Sequence, residues 1–164
     1  WLARDMATED SVVTLRFDAG GIGSGVSGSF DVKLLDWEGI TLPFTPVPIQ
    51  FGARATDAVW PKLKKTSREL FANLRAEMWW GLRCRFEKAY EFRVKGIDHP
   101  KDELISIPNH PDLIAQLSML TYRHRENDGK IIMQPKQELT SSPDYADSCV
   151  LKFAKVQPLV AWVA

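Results

Sequence analysis

The first pattern along the chain is an alternation of apolar and polar positions over residues 12 to 18, Val-Val-Thr-Leu-Arg-Phe-Asp. This period of two predicts a strand that ends at Asp18. The next segment, Ala19-Gly-Gly-Ile-Gly-Ser-Gly25, predicts a tight turn, and a short helix should follow to about Leu35. A strand, a glycine turn and a helix in this order open an α/β unit. A second strand is predicted at residues 49 to 51, after a stretch that prolines loosen.

The longest predicted helix begins at a capping box formed by Thr66 and Glu69. Apolar residues then recur at the helical period as far as about Phe92 and form one stripe: Phe71, Leu74, Met78, Leu82, Phe86 and Ala89. We interpret this stripe as the face that packs on the core. Arg75 and Arg85 fall within it. A guanidinium that is half-buried there needs an anionic partner, either a structural carboxylate or a phosphate.

Turn residues divide the rest of the chain into shorter elements. A short helix is predicted from Asp112 to about Met119. A hairpin should follow, with strands at residues 120 to 125 and 130 to 134 joined at Asn127-Asp128-Gly129. The last predicted helix has Ser142-Pro143 as its N-cap and first position and reaches about Phe153. This order of elements predicts a single α/β domain over residues 1 to 164, with a mixed sheet flanked by helices.

The charge balance excludes a strongly basic protein. The 164 residues include 21 Lys and Arg and 21 Asp and Glu, so the formal net charge is zero. Any surface for nucleic acid must therefore be local. One basic cluster precedes the long helix and contains Lys62, Lys64 and Lys65. Such a run is usually solvated surface, although it could contact a nucleic-acid backbone.

Other features of the sequence concern the redox compartment, membrane insertion and whether the chain is a fragment. Two cysteines are too few for a disulfide framework and are typical of a reducing compartment. The longest apolar run, residues 159 to 164, is far shorter than the ~20 residues of a membrane helix. Because the chain begins with Trp1, we expect it to be a fragment of a longer protein.

The glycine turn suggests one kind of site. Gly23-Ser-Gly25-Val-Ser-Gly28 spells the dinucleotide-binding fingerprint after a strand and before a helix, which makes a Rossmann-like domain one alternative. The acid that should follow ~20 residues later is missing, because that region is rich in proline. A tight strand-to-helix turn is the simpler use of these glycines.

Carboxylates suggest a second kind of site. Asp18 ends a strand, where open α/β sheets place their ligand sites. Asp144 and Asp147 are three residues apart near the start of the last helix, so both should project from one face. Converging carboxylates repel one another unless cations neutralise them, and Mg²⁺ or Mn²⁺ prefers such oxygen ligands. Two such ions would catalyse phosphodiester hydrolysis.

Five segments of the chain form an ordered set: Phe17–Val26, Asn73–Trp80, Asp112–Leu117, Gly129–Lys136 and Ser142–Ser148. The first contains the strand, the acid and the glycine turn, and the last reads Ser-Pro-Asp-Tyr-Ala-Asp-Ser. Together they resemble the C-terminal nuclease domain of the large terminase subunit of tailed bacteriophages. The resemblance extends over roughly residues 10 to 154.

The resemblance implies a ribonuclease H-like fold and a metal-dependent endonuclease that cuts concatemeric DNA during genome packaging. It implies that Asp18 and Asp147 are catalytic acids that bind Mg²⁺ or Mn²⁺ in a two-metal site. Asp144 corresponds to a position where some relatives have a second metal ligand. These are the three carboxylates that the spacing of the residues also selects, and we expect them to converge.

The resemblance also implies partners and a location. Double-stranded DNA would bind without sequence specificity and with strong salt dependence. Its candidate contacts are the basic cluster and two residues nearer the site: Lys62, Lys64, Lys65, Arg75 and Lys136. The portal and the small terminase subunit are the implied protein partners, and the host bacterial cytoplasm is the implied location.

The chain departs from the family at two points. The family usually has an acid in the helix after the glycine turn, where this chain has Gly28. The first catalytic Asp of the family lies on an earlier strand, so we expect it upstream of Trp1, together with the ATPase domain. We therefore expect the fragment alone to be inactive. A catalytically inactive module that docks on the portal or the small subunit is a further alternative.

Overall fold

A computed structural model describes residues 14–20 and 45–154 of the chain. These residues fall into two units, with the boundary between Phe51 and Gly52, and each is described by itself. The predicted single domain over residues 1 to 164 stays a prediction. The predicted helix to Leu35 and the glycines from Gly23 to Gly28 lie outside the described residues.

The first unit contains one parallel pair of strands. Strand β1, Thr14–Asp18, lies beside strand β2, Thr45–Ile49, with Asp18 opposite Ile49. The prediction of β1 is confirmed. Strand β2 ends at Ile49, the residue at which the predicted second strand begins. Pro46 and Pro48 lie within β2. Because these prolines are two residues apart, their backbone nitrogens lie on the same side of β2, the side that faces away from β1. The missing N–H groups therefore cost the β1–β2 ladder no hydrogen bond.

The second unit opens with an antiparallel hairpin, β3 at Val59–Trp60 and β4 at Lys65–Thr66. Helix α1, Ser67–Leu70, follows directly. The predicted capping box is confirmed, because the Thr66 amide donates to Glu69 Oε2 at 2.7 Å and the reciprocal bond is also present. This bond to the Thr66 amide holds the pKa of the Glu69 carboxyl below its usual range.

The predicted long helix is not continuous. The chain becomes extended at Phe71, which forms a bridge with Ile131, and helix α2 begins at Leu74 and ends at Tyr90. Asn73 caps α2, because its side chain accepts a hydrogen bond from the Ala76 amide at 3.0 Å. A π-helical segment, Glu91–Lys95, then ends at Gly96, whose φ is +68°. The apolar stripe continues across the break and therefore could not reveal it.

The stripe packs inward, as predicted, over the first turns of α2. Its first four residues, Phe71, Leu74, Met78 and Leu82, are buried, and Phe86 and Ala89 are half-buried. Among the described residues, the hydrogen bonds of Arg85 go to main-chain carbonyls and not to the predicted carboxylate: its Nη1 donates to Asp102 O at 2.5 Å and Leu104 O at 3.2 Å. Arg75 is buried, with 8% of its surface exposed.

Two helices and a hairpin follow in the second unit. Helix α3 spans Pro111–Met119, hairpin strands β5 and β6 span Tyr122–His124 and Ile131–Met133, and helix α4 spans Asp144–Phe153. The hairpin and both helices are confirmed within a few residues. Across the described ranges, the strands pair as three two-stranded sheets, of which β1–β2 is parallel. The α/β class is therefore confirmed, and the single mixed sheet stays a prediction.

Candidate active site

The start of α4 brings a carboxylate into the interior of the second unit. Asp147 lies in the first turn and is 6% exposed, which is rare for an acid unless it has a partner. One partner is Lys136, whose Nζ lies 2.6 Å from Asp147 Oδ2. The lysine side chain is 41% exposed, so part of it is open to solvent beside the buried acid.

Hairpin β5–β6 and helix α2 bring Lys136 to this position. Strand β6 ends at Met133, and a short 3₁₀ turn begins at Lys136. Between them, the carbonyl of Gln134 accepts a hydrogen bond from Arg75 Nη1 at 2.8 Å. The Gln134 amide in turn donates to the Thr121 carbonyl at 3.0 Å. The buried guanidinium thus fixes the backbone two residues before Lys136, and its predicted contact with DNA stays a prediction.

The two oxygens of the Asp147 carboxylate differ. Oδ2 is bonded to Lys136, whereas Oδ1 is buried and has no hydrogen-bond partner within the described residues. A buried polar atom without a partner is costly unless a ligand satisfies it. A carboxylate oxygen is also a preferred ligand of hard divalent cations. The surroundings of Asp147 therefore fit a metal ligand.

Asp144 occupies a different environment, although it lies on the same helix. It is exposed, and its Oδ1 accepts a hydrogen bond from Ser142 Oγ at 2.5 Å. Ser142 was predicted as the N-cap, but the N-cap is Pro143, so α4 begins one residue later than predicted. The helix thus separates the two predicted acids into one exposed and one buried carboxylate.

Asp18 ends β1 in the first unit, as predicted. Its Oδ1 accepts a hydrogen bond from the Gly20 amide at 2.9 Å. A Cβ at Gly20 would lie 3.1 Å from the same oxygen, so glycine permits this close approach. Within the described part of either unit, no group of three His, Cys, Asp or Glu side chains is arranged to hold a metal. The convergence of Asp18 with Asp144 and Asp147 stays a prediction.

The predicted basic cluster lies at the β3–β4 turn. Lys62, Lys64 and Lys65 are all exposed, and Lys64 has a φ of +51°, in the left-handed region. The turn closes through the Leu63 amide, which donates to Trp60 O at 3.0 Å. Exposed Leu63 lies among the lysines. The geometry is that of a solvated hairpin tip, and its contact with DNA stays a prediction.

A polar network that sequence reasoning missed fixes this hairpin to α2. Glu77 accepts hydrogen bonds from the Thr56 amide at 2.7 Å and from Ser67 Oγ at 2.9 Å. Ser67 is completely buried and also accepts a bond from Trp60 Nε1 at 2.8 Å. The sequence signal for this network was Glu77 itself, an acid in the first turn of a helix that is otherwise rich in apolar residues.

No described helix is both long and apolar enough to cross a membrane. No family model and no curated protein sequence matches the chain.

Several solved structures are similar to the chain. The nuclease domain of the large terminase subunit gp2 of bacterial virus Sf6 has a TM-score of 0.75 and 22% identity, over 95% of this chain and 71% of that one. A lysine-to-alanine mutant of the same domain with manganese has a TM-score of 0.73 and 23% identity, over 93% and 70%. A corresponding mutant with calcium gives the same values. The resemblance indicated by the five sequence segments is thus confirmed at the level of the fold.

Proposed function

We propose that this chain is the metal-dependent endonuclease domain of a phage DNA-packaging terminase, with a ribonuclease H-like fold. The substrate would be concatemeric double-stranded DNA. The observation that supports this most directly is the buried carboxylate of Asp147, with one unpartnered oxygen, in a chain that has the fold of a terminase nuclease domain.

Asp147, Asp144 and Asp18 are the residues that would hold Mg²⁺ or Mn²⁺. Such ions, when bound, activate water and stabilise the leaving oxygen of a phosphodiester. Asp147 fits this role best, because its Oδ1 is buried and has no hydrogen-bond partner in the described part of the chain. Asp144 is exposed and bonded to Ser142, so we assign it the weaker contribution.

Lys136 would contact both the Asp147 carboxylate and the DNA substrate. Its ammonium partly neutralises the Asp147 charge, which lowers the cost of burying that carboxylate. Its exposed portion would allow a DNA phosphate to approach the same ammonium. Earlier in the chain, the exposed Lys62, Lys64 and Lys65 would contact the DNA backbone without reading its sequence.

The same proposal extends to the complete protein. An ATPase domain would precede this chain, the portal and the small terminase subunit would be its protein partners, and packaging would take place in the host bacterial cytoplasm. This assignment rests on the fold that the chain shares with the terminase nuclease domain of Sf6.

A plasmid-cleavage assay tests the proposal. The complete protein and this chain are each incubated with supercoiled plasmid and Mn²⁺, with a chelator in parallel. We expect cleavage by the complete protein that requires the metal. A complete protein that folds and binds DNA but does not cut it under any divalent cation would contradict the proposal and favour the inactive docking module.

A further inference from the structure

The first turn of α4 has no side-chain cap of its own. Its N-cap is Pro143, which has no side-chain acceptor, and the first bond within the helix is donated by the Asp147 amide to Pro143 O at 2.7 Å. The amides before Asp147 therefore need acceptors from elsewhere. Water cannot supply one to Ala146, which is 0% exposed.

Helix α3 supplies the missing acceptor. Gln116 Oε1 accepts hydrogen bonds from the Tyr145 amide at 2.9 Å and from the Ala146 amide at 3.2 Å. A single amide oxygen has two lone pairs and can accept both bonds. A second contact supports this junction, because the rings of His110, the N-cap of α3, and Tyr145 lie 5.0 Å apart. The cap of α4 is thus a tertiary contact across about 30 residues of sequence.

We infer that Gln116 is a positioning residue for the proposed nuclease, an inference that rests on the proposed function. It fixes the rotation of the first turn of α4, and Asp147 is the residue directly after the two capped amides. That rotation sets the direction of the Asp147 carboxylate, which lies 2.6 Å from Lys136. Displacements of ~1 Å in a catalytic constellation can cost ~100-fold in rate.

The side-chain chemistry of Gln116 determines which substitutions are informative. Gln116→Met keeps the length but removes the acceptor. Gln116→Glu keeps an oxygen that can accept both bonds, and a negative charge at a helix N-terminus is favourable. Gln116→Asn keeps the amide but withdraws the oxygen by one methylene. Ser118→Ala is the matched control on α3, because its Oγ donates to Ile114 O of the same helix at 2.7 Å and, within the described residues, has no hydrogen bond to α4.

Hydrogen exchange tests the cap without any nuclease activity. In Gln116→Met we expect the Tyr145 and Ala146 amides to exchange roughly fivefold faster or more, since each loses a hydrogen bond. Gln116→Glu and Ser118→Ala should leave both rates near those of the wild type. Unchanged exchange in Gln116→Met would overturn the cap. Should Gln116→Met fail to fold, Gln116→Asn takes its place.

Cleavage kinetics with Mn²⁺ in the complete protein test the positioning. We expect kcat of Gln116→Met to fall about 10- to 100-fold with KM for plasmid nearly unchanged, and Gln116→Glu to restore most of kcat. Mn²⁺ alone, titrated by calorimetry, should bind more weakly to Gln116→Met than to the wild type. A wild type that cuts DNA and a Gln116→Met variant with undiminished kcat would overturn the inference alone. A wild type that never cuts would overturn the proposed function and the inference with it.

Discussion

One ion pair lies at the turn of hairpin β5–β6 and another lies beyond its exit, and the two pairs differ in exposure and in how they are assembled. At the turn, Arg125 Nε donates to Asp128 Oδ1 at 2.9 Å, and the two side chains are 40% and 29% exposed. Beyond the exit of the hairpin, Lys136 pairs with Asp147, whose side chain is 9% exposed.

The difference lies in how each pair is assembled. Arg125 and Asp128 are three residues apart, and the turn that joins them also orients the Asp128 side chain toward the Lys130 amide. Lys136 and Asp147 belong to different elements, and they meet because α2 and α4 pack together with the hairpin exit. An exposed local pair contributes little to stability, whereas a buried acid needs its partner. If the buried pair belongs to the active site, changes at Asp147 and Lys136 should have larger effects than changes at the exposed pair.

The largest expected effect is that of Asp147→Asn in the complete protein. Asparagine keeps the shape of the side chain but removes the charge that would hold a divalent cation. We expect plasmid cleavage with Mn²⁺ to fall by orders of magnitude while the protein remains folded. Asp144→Asn is the matched control, and its effect should be clearly smaller because Asp144 is exposed and bonded to Ser142. Equal losses in the two variants would remove the distinction between them.

Lys136→Ala should destabilise the protein in metal-free buffer. It leaves the Asp147 charge buried without this ammonium, and we expect the free energy of unfolding to fall by about 1 to 3 kcal/mol, the cost of an unsatisfied buried acceptor, because the Lys136 side chain is 41% exposed. Added Mn²⁺ should restore part of that loss, because a cation can replace the missing charge. Denaturant unfolding with and without Mn²⁺ measures both effects. Lys62→Ala, at an exposed position, should change the free energy by less than about 0.5 kcal/mol.

The exposed lysines of the β3–β4 turn should affect DNA binding rather than stability. In a variant with Lys62, Lys64 and Lys65 all changed to Ala, we expect duplex affinity to decrease. The slope of log K against log salt should become shallower by about 0.9 for each phosphate that a lysine no longer neutralises. Fluorescence anisotropy over a salt series measures this slope. Binding that prefers one short sequence, or that does not change with salt, would argue against contacts with the backbone.

The smallest expected effect is that of pH on the exposed pair. The bond from Arg125 lowers the pKa of Asp128 to about 2, below its ordinary value of 3.8. The stabilisation from this pair is therefore fully present above pH 4 and is lost as the pH falls through about 2. Asp128→Asn should remove this acid-dependent change in the hairpin, which NMR shifts of the Gly129 amide can follow. A hairpin titration that persists unchanged in Asp128→Asn would assign it to another group.

Features that depend on neighbouring residues were predictable from the sequence. The capping box at Thr66, the hairpin turn at Asp128 and the C-terminal end of β1 each follow from local hydrogen bonding or local backbone preference. Asp18 and Asp147 were selected as candidate metal ligands by spacing and by family resemblance, and that role stays a prediction. The local signal for the burial of Asp147 is Leu151, which lies four residues later on the same helix face and is also buried.

Features that depend on distant contacts were not predictable in this way. The long helix breaks at Phe71 because that residue pairs with Ile131, sixty positions later. The Asn73 cap was the local sign of this break and could have been recognised. The cap of α4 comes from Gln116 on another helix, so the expectation that Ser142 would cap it was wrong. The partners of Arg75 and Lys136 likewise exist only once α2, β6 and α4 have packed.

If Asp147 is a ligand of a divalent cation, anomalous diffraction from manganese will detect the ion beside its carboxylate. Crystals of the protein soaked in Mn²⁺ would be measured at the manganese edge, with an Asp147→Asn crystal as the control. We predict an anomalous peak within coordination distance of Asp147 Oδ1 that is lost in the variant. Manganese peaks that are absent from Asp147, or that persist there in Asp147→Asn, would contradict the claim.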